Sequence, residues 1–371
     1  MGSTALPSTM HAWRKHKGNP NPVWEELPVP SVPTTGFLVK ILASGVCHSD
    51  QPLLDIEDRP QFNEKYTLGH EGCGEIIQIG EGVTDKRFKS VGISLPDIET
   101  LLIEIKGDRV ALLSVPGCGL DTCSECSRDL AQLCPVGTHH GIGQDGFYAE
   151  YVVVDVRSAI PLPDGVEPAF AAVATDAVTT AYHGITRRAE VKKEETTFLF
   201  GLGGLGFNAL QIVRSIGARV IVSDLRQEKL DAALKLGVPS EDIVPVGKSV
   251  QDFVKENELQ GKIDTVLEFV GSHQTCQDAQ HIVRPGGKIL CVGTLNLVNE
   301  FDMKIGIRKR LSIIFTYGGQ YRDLVEVLDL IAKGVIQPQV ELGKLQDFPR
   351  VLKELGEGKI KDRIALVSDI V

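Results

Sequence analysis

The chain has 371 residues and a formal net charge of −10, with 42% hydrophobic and 24% charged residues. That length suits two domains of ordinary size, and the acidic balance argues against a nucleic-acid partner. No run approaches the roughly 20 apolar residues of a membrane-spanning helix, and Met1 to Trp13 lacks the apolar core of a signal peptide. Four of the eight cysteines fall between Cys118 and Cys134, a clustering that suits metal binding better than a disulfide framework. A reducing, cytoplasmic setting and no membrane partner are therefore expected.

Roughly the first 160 residues are rich in Gly, Pro and short β-like runs, which predicts a mostly antiparallel, barrel-like domain. The runs include Phe37 to Leu42, Glu75 to Ile79, Asp108 to Leu113 and Tyr151 to Val154. The character changes near Pro168. Ala169 to Arg188 is Ala-rich and reads as helix. Apolar strands then alternate with helices. The strands are Thr197 to Phe200, Arg219 to Ser223, Thr265 to Phe269 and Lys288 to Val292; the helices are Leu205 to Ile216, Gln227 to Leu236 and Gln274 to Val283. Uninterrupted apolar strands joined by helices predict a parallel sheet covered on both faces. Two amphipathic helices, Asp323 to Lys333 and Phe348 to Leu355, and a strand, Arg363 to Val367, close the chain. The domains are read as 1–168, 169–315 and a tail 316–371 that returns to the first.

Gly201-Leu202-Gly203-Gly204-Leu205-Gly206 follows an apolar strand and opens a helix. Glycines at these positions permit a tight turn and close approach of backbone N–H groups to a pyrophosphate. Asp224 ends the next strand. A carboxylate there accepts hydrogen bonds from the ribose hydroxyls and repels a 2′-phosphate, favouring NAD over NADP. Lys229 supplies a second candidate ribose contact, while Arg226 is a residue type that can accommodate the phosphate.

Three scattered residues suggest one zinc ion: Cys47 in Gly45-Val46-Cys47-His48-Ser49-Asp50, His70 in Gly69-His70-Glu71-Gly72, and Asp176 in Ala174-Thr175-Asp176-Ala177. Three protein ligands leave the fourth position open, as in a catalytic site. Taken singly, Cys47 reads as a small buried hydrophobe, His70 as a hydrogen-bonded core residue and Asp176 as a helix N-cap.

The segments Val46 to Asp50 and Gly69 to Ile77, the glycine loop and Asp176 to Tyr182 together resemble, in order, the medium-chain zinc alcohol dehydrogenases. The resemblance implies a GroES-like catalytic domain followed by a Rossmann domain with a doubly wound parallel sheet. It implies a homodimer or homotetramer and a small alcohol or carbonyl substrate. Many members carry Cys as the third ligand, where this chain has Asp176. The resemblance places Glu71 behind the metal and Asp50 against the His70 ring. It makes Ser49 the first proton acceptor, His48 and Arg363 pyrophosphate contacts, and Thr180 a residue packed on the nicotinamide. Many relatives continue the proton relay through a His whose place here holds Pro52, so the proton is expected to leave through the ribose and water or another group.

Cys123, Cys126 and Cys134 match the spacing of the family's structural-zinc lobe. The usual first cysteine position holds Leu120, and Cys118 is expected to close the site on a distorted loop; a three-cysteine site or no zinc are the alternatives. A second departure, Arg87 to Ile105, interrupts the usual passage from Gly82-Val83-Thr84-Asp85 to Gly107-Asp108-Arg109-Val110. It reads either as a surface loop away from the zinc or as translated non-coding sequence. The function expected is oxidation of an alcohol, secondary or of medium size, to an aldehyde or ketone with zinc and NAD. The alternatives are a carbonyl reductase of a specialised pathway and a non-catalytic cofactor-binding relative. The three proposed zinc ligands disfavour a zinc-free quinone or enoyl reductase.

Overall fold

A computed structural model of the chain describes residues 6–55, 62–83 and 107–368, so the Arg87 to Ile105 departure lies outside the described residues. The chain forms two compact units. The first comprises Met1–Asp176, Gln320–Ala332 and Gln339–Val371; the second comprises Ala177–Gly319 and Lys333–Pro338.

The first unit begins with β1 (Thr9–His16), β2 (Val23–Pro28), β3 (Gly36–Val46), β4 (Lys65–Thr67) and β5 (Glu71–Ile79). It continues with β6 (Arg109–Leu112), β7 (Tyr151–Asp155) and β8 (Ala159–Pro161). Side chains alternate between the faces of a strand, and β3 is buried on both. Phe37, Val39 and Ile41 pack with Ile76, Val110, Leu112 and Val152, whereas Leu38 packs with Met10, Ala12 and Ala149.

The second unit holds five parallel strands: β9 (Thr196–Phe200), β10 (Arg219–Ser223), β11 (Ile263–Glu268), β12 (Val283–Cys291) and β13 (Ser312–Phe315). Their order is β10-β9-β11-β12-β13. The helices Gly206–Ile216, Gln227–Lys235 and His273–Ile282 intervene. Phe198, Ile221, Val266 and Ile289 meet in one core with Phe253 and Val254 of the helix Val250–Glu256 and Ala279 and Ile282 of the helix His273–Ile282. The fold thus joins a mostly antiparallel β unit to a unit with a five-stranded parallel sheet, and the parallel sheet is the one that the alternation of apolar strands and helices predicts.

The tail adds helix Tyr321–Ala332, β14 (Val340–Lys344), helix Phe348–Gly356 and β15 (Arg363–Val367) to the first unit. The main sheet there runs β14-β15-β3-β5-β6-β8, with β7 also pairing with β3. Its register builds the site: Gly45 faces Glu71 across β3 and β5, and Val46 faces Ile364 across β3 and β15. The end of β3, the start of β5 and the start of β15 therefore converge.

Among the described residues, no helix is long and apolar enough to cross a membrane.

Candidate active site and metal centres

Cys47 follows β3 and His70 precedes β5, so the sheet register brings them side by side. Asp176 reaches them from a π-helical turn, Ala174–Val178, that continues the helix Pro168–Val173. It is therefore not an N-cap. π-turns inside helices are uncommon and are found frequently at functional sites.

The Cys47 Sγ lies 3.4 Å from Asp176 Oδ2, and His70 Nε2 lies 3.6 Å from the same oxygen. Tetrahedral zinc, with bonds of about 2.0–2.1 Å to N or O and about 2.3 Å to S, requires donor separations of about 3.3–3.8 Å. Donor atoms of Cys47, His70, Glu71 and Asp176 all fall within 4.8 Å of one another. The residues present thus fit a zinc ion in chemistry and in spacing.

Asp50 organises this group from behind. It is fully buried, and its Oδ2 accepts from the Cys47 backbone N–H at 3.0 Å and from the Tyr148 hydroxyl at 2.6 Å. Its Oδ1 lies 3.2 Å from His70 Nδ1. A proton held on Nδ1 leaves Nε2 as the lone-pair donor toward the metal position. Burial opposes protonation of His70, but the carboxylates of Asp50 and Asp176 outweigh it and hold its pKa well above the ordinary value.

Glu71 is fully buried and accepts a hydrogen bond at Oε1 from the Arg363 guanidinium, itself 5% exposed. Burial pushes the Glu71 carboxyl up to about 8 against the opposing charge of Arg363. Its Oε2 is buried with no hydrogen-bond partner among the described residues. So many buried acidic donors in one place favour an added cation. The Ser49 hydroxyl lies 3.6 Å from Cys47 Sγ, and both Ser49 and His48 are exposed.

The four lobe cysteines also come together, with all sulfurs within 4.8 Å. Cys118 and Cys126 are 3.7 Å apart and Cys123 and Cys134 are 3.8 Å apart, close to the separation of about 3.75 Å between thiolates on one tetrahedral zinc. The irregular spacing is absorbed locally. Gly119 takes a left-handed φ of +67°, and the Cys123 N–H closes a turn on Leu120 O at 3.0 Å. Leu120 is turned outward and exposed, so Cys118 replaces it in the cluster.

In the second unit, the glycine loop joins β9 to the helix Gly206–Ile216, with Leu205 as its N-cap. A Cβ on Gly206 would fall 1.9 Å from Gly201 O, whereas one on Gly203 would meet nothing within 4 Å. Gly206 therefore packs helix on strand, and Gly203 opens onto free space that a pyrophosphate could approach. Asp224 Oδ2 accepts from Leu202 N at 2.7 Å, which ties the acid to the loop. Lys229 is buried in the next helix, with Nζ 5.9 Å from the Phe207 ring centre. Thr180 is buried in the helix Thr179–His183.

Sequence reasoning overlooked Gly45 and Tyr148. Both act through partners distant in sequence, and no local pattern marks them.

The chain matches two family profiles. "Alcohol dehydrogenase GroES-like domain" matches residues 34–93 and 103–164, and "Zinc-binding dehydrogenase" matches residues 204–333. It is 28% identical over 349 residues to an alcohol dehydrogenase of Geobacillus stearothermophilus, covering 92% of this chain and 94% of that one. Among solved structures, the acetophenone reductase of Geotrichum candidum in complex with NAD aligns with TM-score 0.82 and 30% identity, covering 98% of each chain. The alcohol dehydrogenase of Aeropyrum pernix aligns with TM-score 0.81 and 27% identity, covering 96% of this chain and 99% of that one. With two zinc-compatible donor clusters and both domains matched in order, the chain belongs to the zinc-binding alcohol dehydrogenase family and is an enzyme of that class.

Proposed function

We propose that this enzyme transfers hydride between a secondary alcohol and NAD, interconverting the alcohol and its ketone. The observation that carries the reading is the convergence of Cys47, His70 and Asp176 at zinc-like separations, with Asp50 fixing the imidazole. The likeness to an acetophenone reductase at 30% identity supports a ketone as the carbonyl partner.

Cys47, His70 and Asp176 would hold the catalytic zinc, which supplies Lewis acidity that lowers the pKa of an alcohol hydroxyl. The four cysteines of the lobe would hold a structural zinc. Asp50 keeps His70 in one tautomer. Ser49, exposed and beside Cys47, would take the alcohol proton as general base and release it toward the ribose side of the cofactor site or to water. Pro52 has no group that could carry the proton further. Asp224, with Lys229, selects the unphosphorylated ribose, and Gly201, Gly203, Gly204, Leu205 and Gly206 receive the pyrophosphate. Thr180 would pack on the nicotinamide, and His48 would contact the pyrophosphate. The burial of Arg363 and its bond to Glu71 favour a role in holding that carboxylate over pyrophosphate contact. A cytoplasmic location and assembly as a homodimer or homotetramer belong to the same reading.

An NADH-linked assay over matched secondary alcohols, primary alcohols and ketones tests the substrate class. Highest kcat/KM on a secondary alcohol and its ketone supports the reading; turnover confined to primary alcohols and aldehydes overturns it.

A further inference from the structure

Glu268 is the last residue of β11 and is fully buried. Its carboxylate turns back onto the chain that follows. Oε1 accepts from Val270 N at 3.0 Å and from Gly271 N at 2.8 Å, and Oε2 lies 2.9 Å from Gly271 N. The Thr275 hydroxyl, in the first turn of the helix His273–Ile282, donates to Oε1 at 2.8 Å. A buried carboxylate held by backbone N–H groups and a hydroxyl fixes the position of those groups more firmly than a neutral acceptor would.

The turn it fixes is packed against two loops. Gly201, which opens the glycine loop at φ +85°, has room for Val270 only because it lacks a Cβ; a Cβ there would lie 2.8 Å from Val270 Cγ2. On the other side, a Cβ on Gly293 would lie 2.2 Å from Val270 C and 2.3 Å from Gly271 N. Beyond Gly293, the loop hangs on the same turn. Leu295 N bonds to Val270 O at 3.1 Å, and Asn296 N and Asn299 Nδ2 each bond to Gly271 O at 2.9 Å. The strand order changes direction between β9 and β11. Ligands of open parallel sheets bind beyond the carboxyl ends of the strands at such a point.

We propose that Glu268 is a positioning residue for the cofactor: its carboxylate sets the height of the Val270-Gly271 turn, and through that turn the positions of the Gly201 loop and of the 294–299 loop. It touches neither the cofactor nor the reacting atoms. The proposal rests on the reading of the glycine loop as a NAD site. A Glu268→Gln side chain has nearly the same shape, but its NH₂ would face a backbone N–H, replacing an acceptor by a donor. The turn would shift, and the loops keyed to it would shift with it.

The test is NADH binding by fluorescence titration, with the KM for NAD, on the full-length wild-type, Glu268→Gln, Thr275→Val and Ser272→Ala proteins. Thr275→Val removes one donor to the carboxylate, and with it the Thr275 half of the helix cap at Ser272, while keeping the charge; Ser272→Ala loosens the cap alone, so a larger rise in Kd for Thr275→Val than for Ser272→Ala decides the matter if Glu268→Gln does not fold. The expected result is a rise of about tenfold or more in the NADH Kd for Glu268→Gln. A smaller rise is expected for Thr275→Val. The KM for NAD should rise in parallel, with zinc content and kcat at saturating NAD retained. A merely structural role would lower the melting temperature and leave the Kd of the folded protein unchanged; that result overturns the proposal. Absence of NADH binding by the wild-type protein would instead overturn the reading of the glycine loop.

Discussion

Gly45 and Glu71 face each other across β3 and β5, and a Cβ on Gly45 would fall 1.9 Å from Glu71 Oε2. The missing side chain makes room for a buried carboxylate directly beside His70. Substitution Gly45→Ala must move Glu71 away from Arg363, or spread two central strands. Overpacking of this kind costs about 1–3 kcal/mol. Thermal melting should show that loss, and kcat/KM should fall with it because Glu71 adjoins a ligand. An unchanged melting temperature would show that Glu71 has another place to go.

The lobe cysteines make a separate prediction. Replacing Cys118 with Ser should remove one zinc per chain and lower the melting temperature, with substantial turnover retained below the new transition. A structural zinc contributes directly to folding stability. Metal analysis with calorimetry checks this, and a Cys118→Ser protein with wild-type zinc content would exclude Cys118 from the site.

The proposed function makes cofactor choice depend on Asp224. Its carboxylate is anchored by Leu202 N and by Arg226 N, the latter at 2.9 Å, so a 2′-phosphate would meet a fixed negative charge. With Asp224→Ser the ratio of kcat/KM for NAD over NADP should fall by about tenfold or more, since removing that repulsion is worth at least about 1.4 kcal/mol. Steady-state kinetics with both cofactors on one alcohol reads the ratio, and an unaltered ratio would remove Asp224 from the discrimination.

His140 gives a pH prediction at a residue outside the proposed ligand sets. It is 5% exposed, its Nδ1 lies 2.8 Å from Asp145 O, and its ring centre lies 5.2 Å from that of Phe147. Burial lowers its pKa below the ordinary value of 6.5. The unfolded chain therefore binds the proton more tightly than the folded one. The stability from this group is complete above about pH 6.5 and is lost as pH falls toward and through the lowered value. Melting temperature against pH should decline on the acid side, and less steeply in His140→Gln; equal slopes would assign the decline to other groups.

Much of this was legible in the chain. The strands β9 to β11 are largely apolar and rich in β-branched and aromatic residues, only the Lys288–Cys291 end of β12 shares that pattern, and the glycine loop sits between a strand and a helix. The three-residue β4 carries too little pattern, and β13 lies at the edge of its sheet with mostly exposed residues. Cys47 and His70 stand in distinctive local sequences. Asp176 does not, because a π-turn leaves no mark on helical periodicity. The bond from Arg363 to Glu71 joins residues almost three hundred positions apart, and only the pairing of β15 with β3 brings them together. Glu268 looks like any acid at a strand end until the turn it holds is seen.

Zinc content and turnover of the wild-type and Asp176→Ala proteins, measured on the same preparations, test the assignment of the catalytic metal most directly. Two zinc ions per chain are expected in the wild type. Asp176→Ala should retain the lobe zinc and NADH binding, lose most of the second zinc and lose nearly all turnover. Full turnover by Asp176→Ala, or an active wild-type enzyme with only one zinc per chain, would contradict the account.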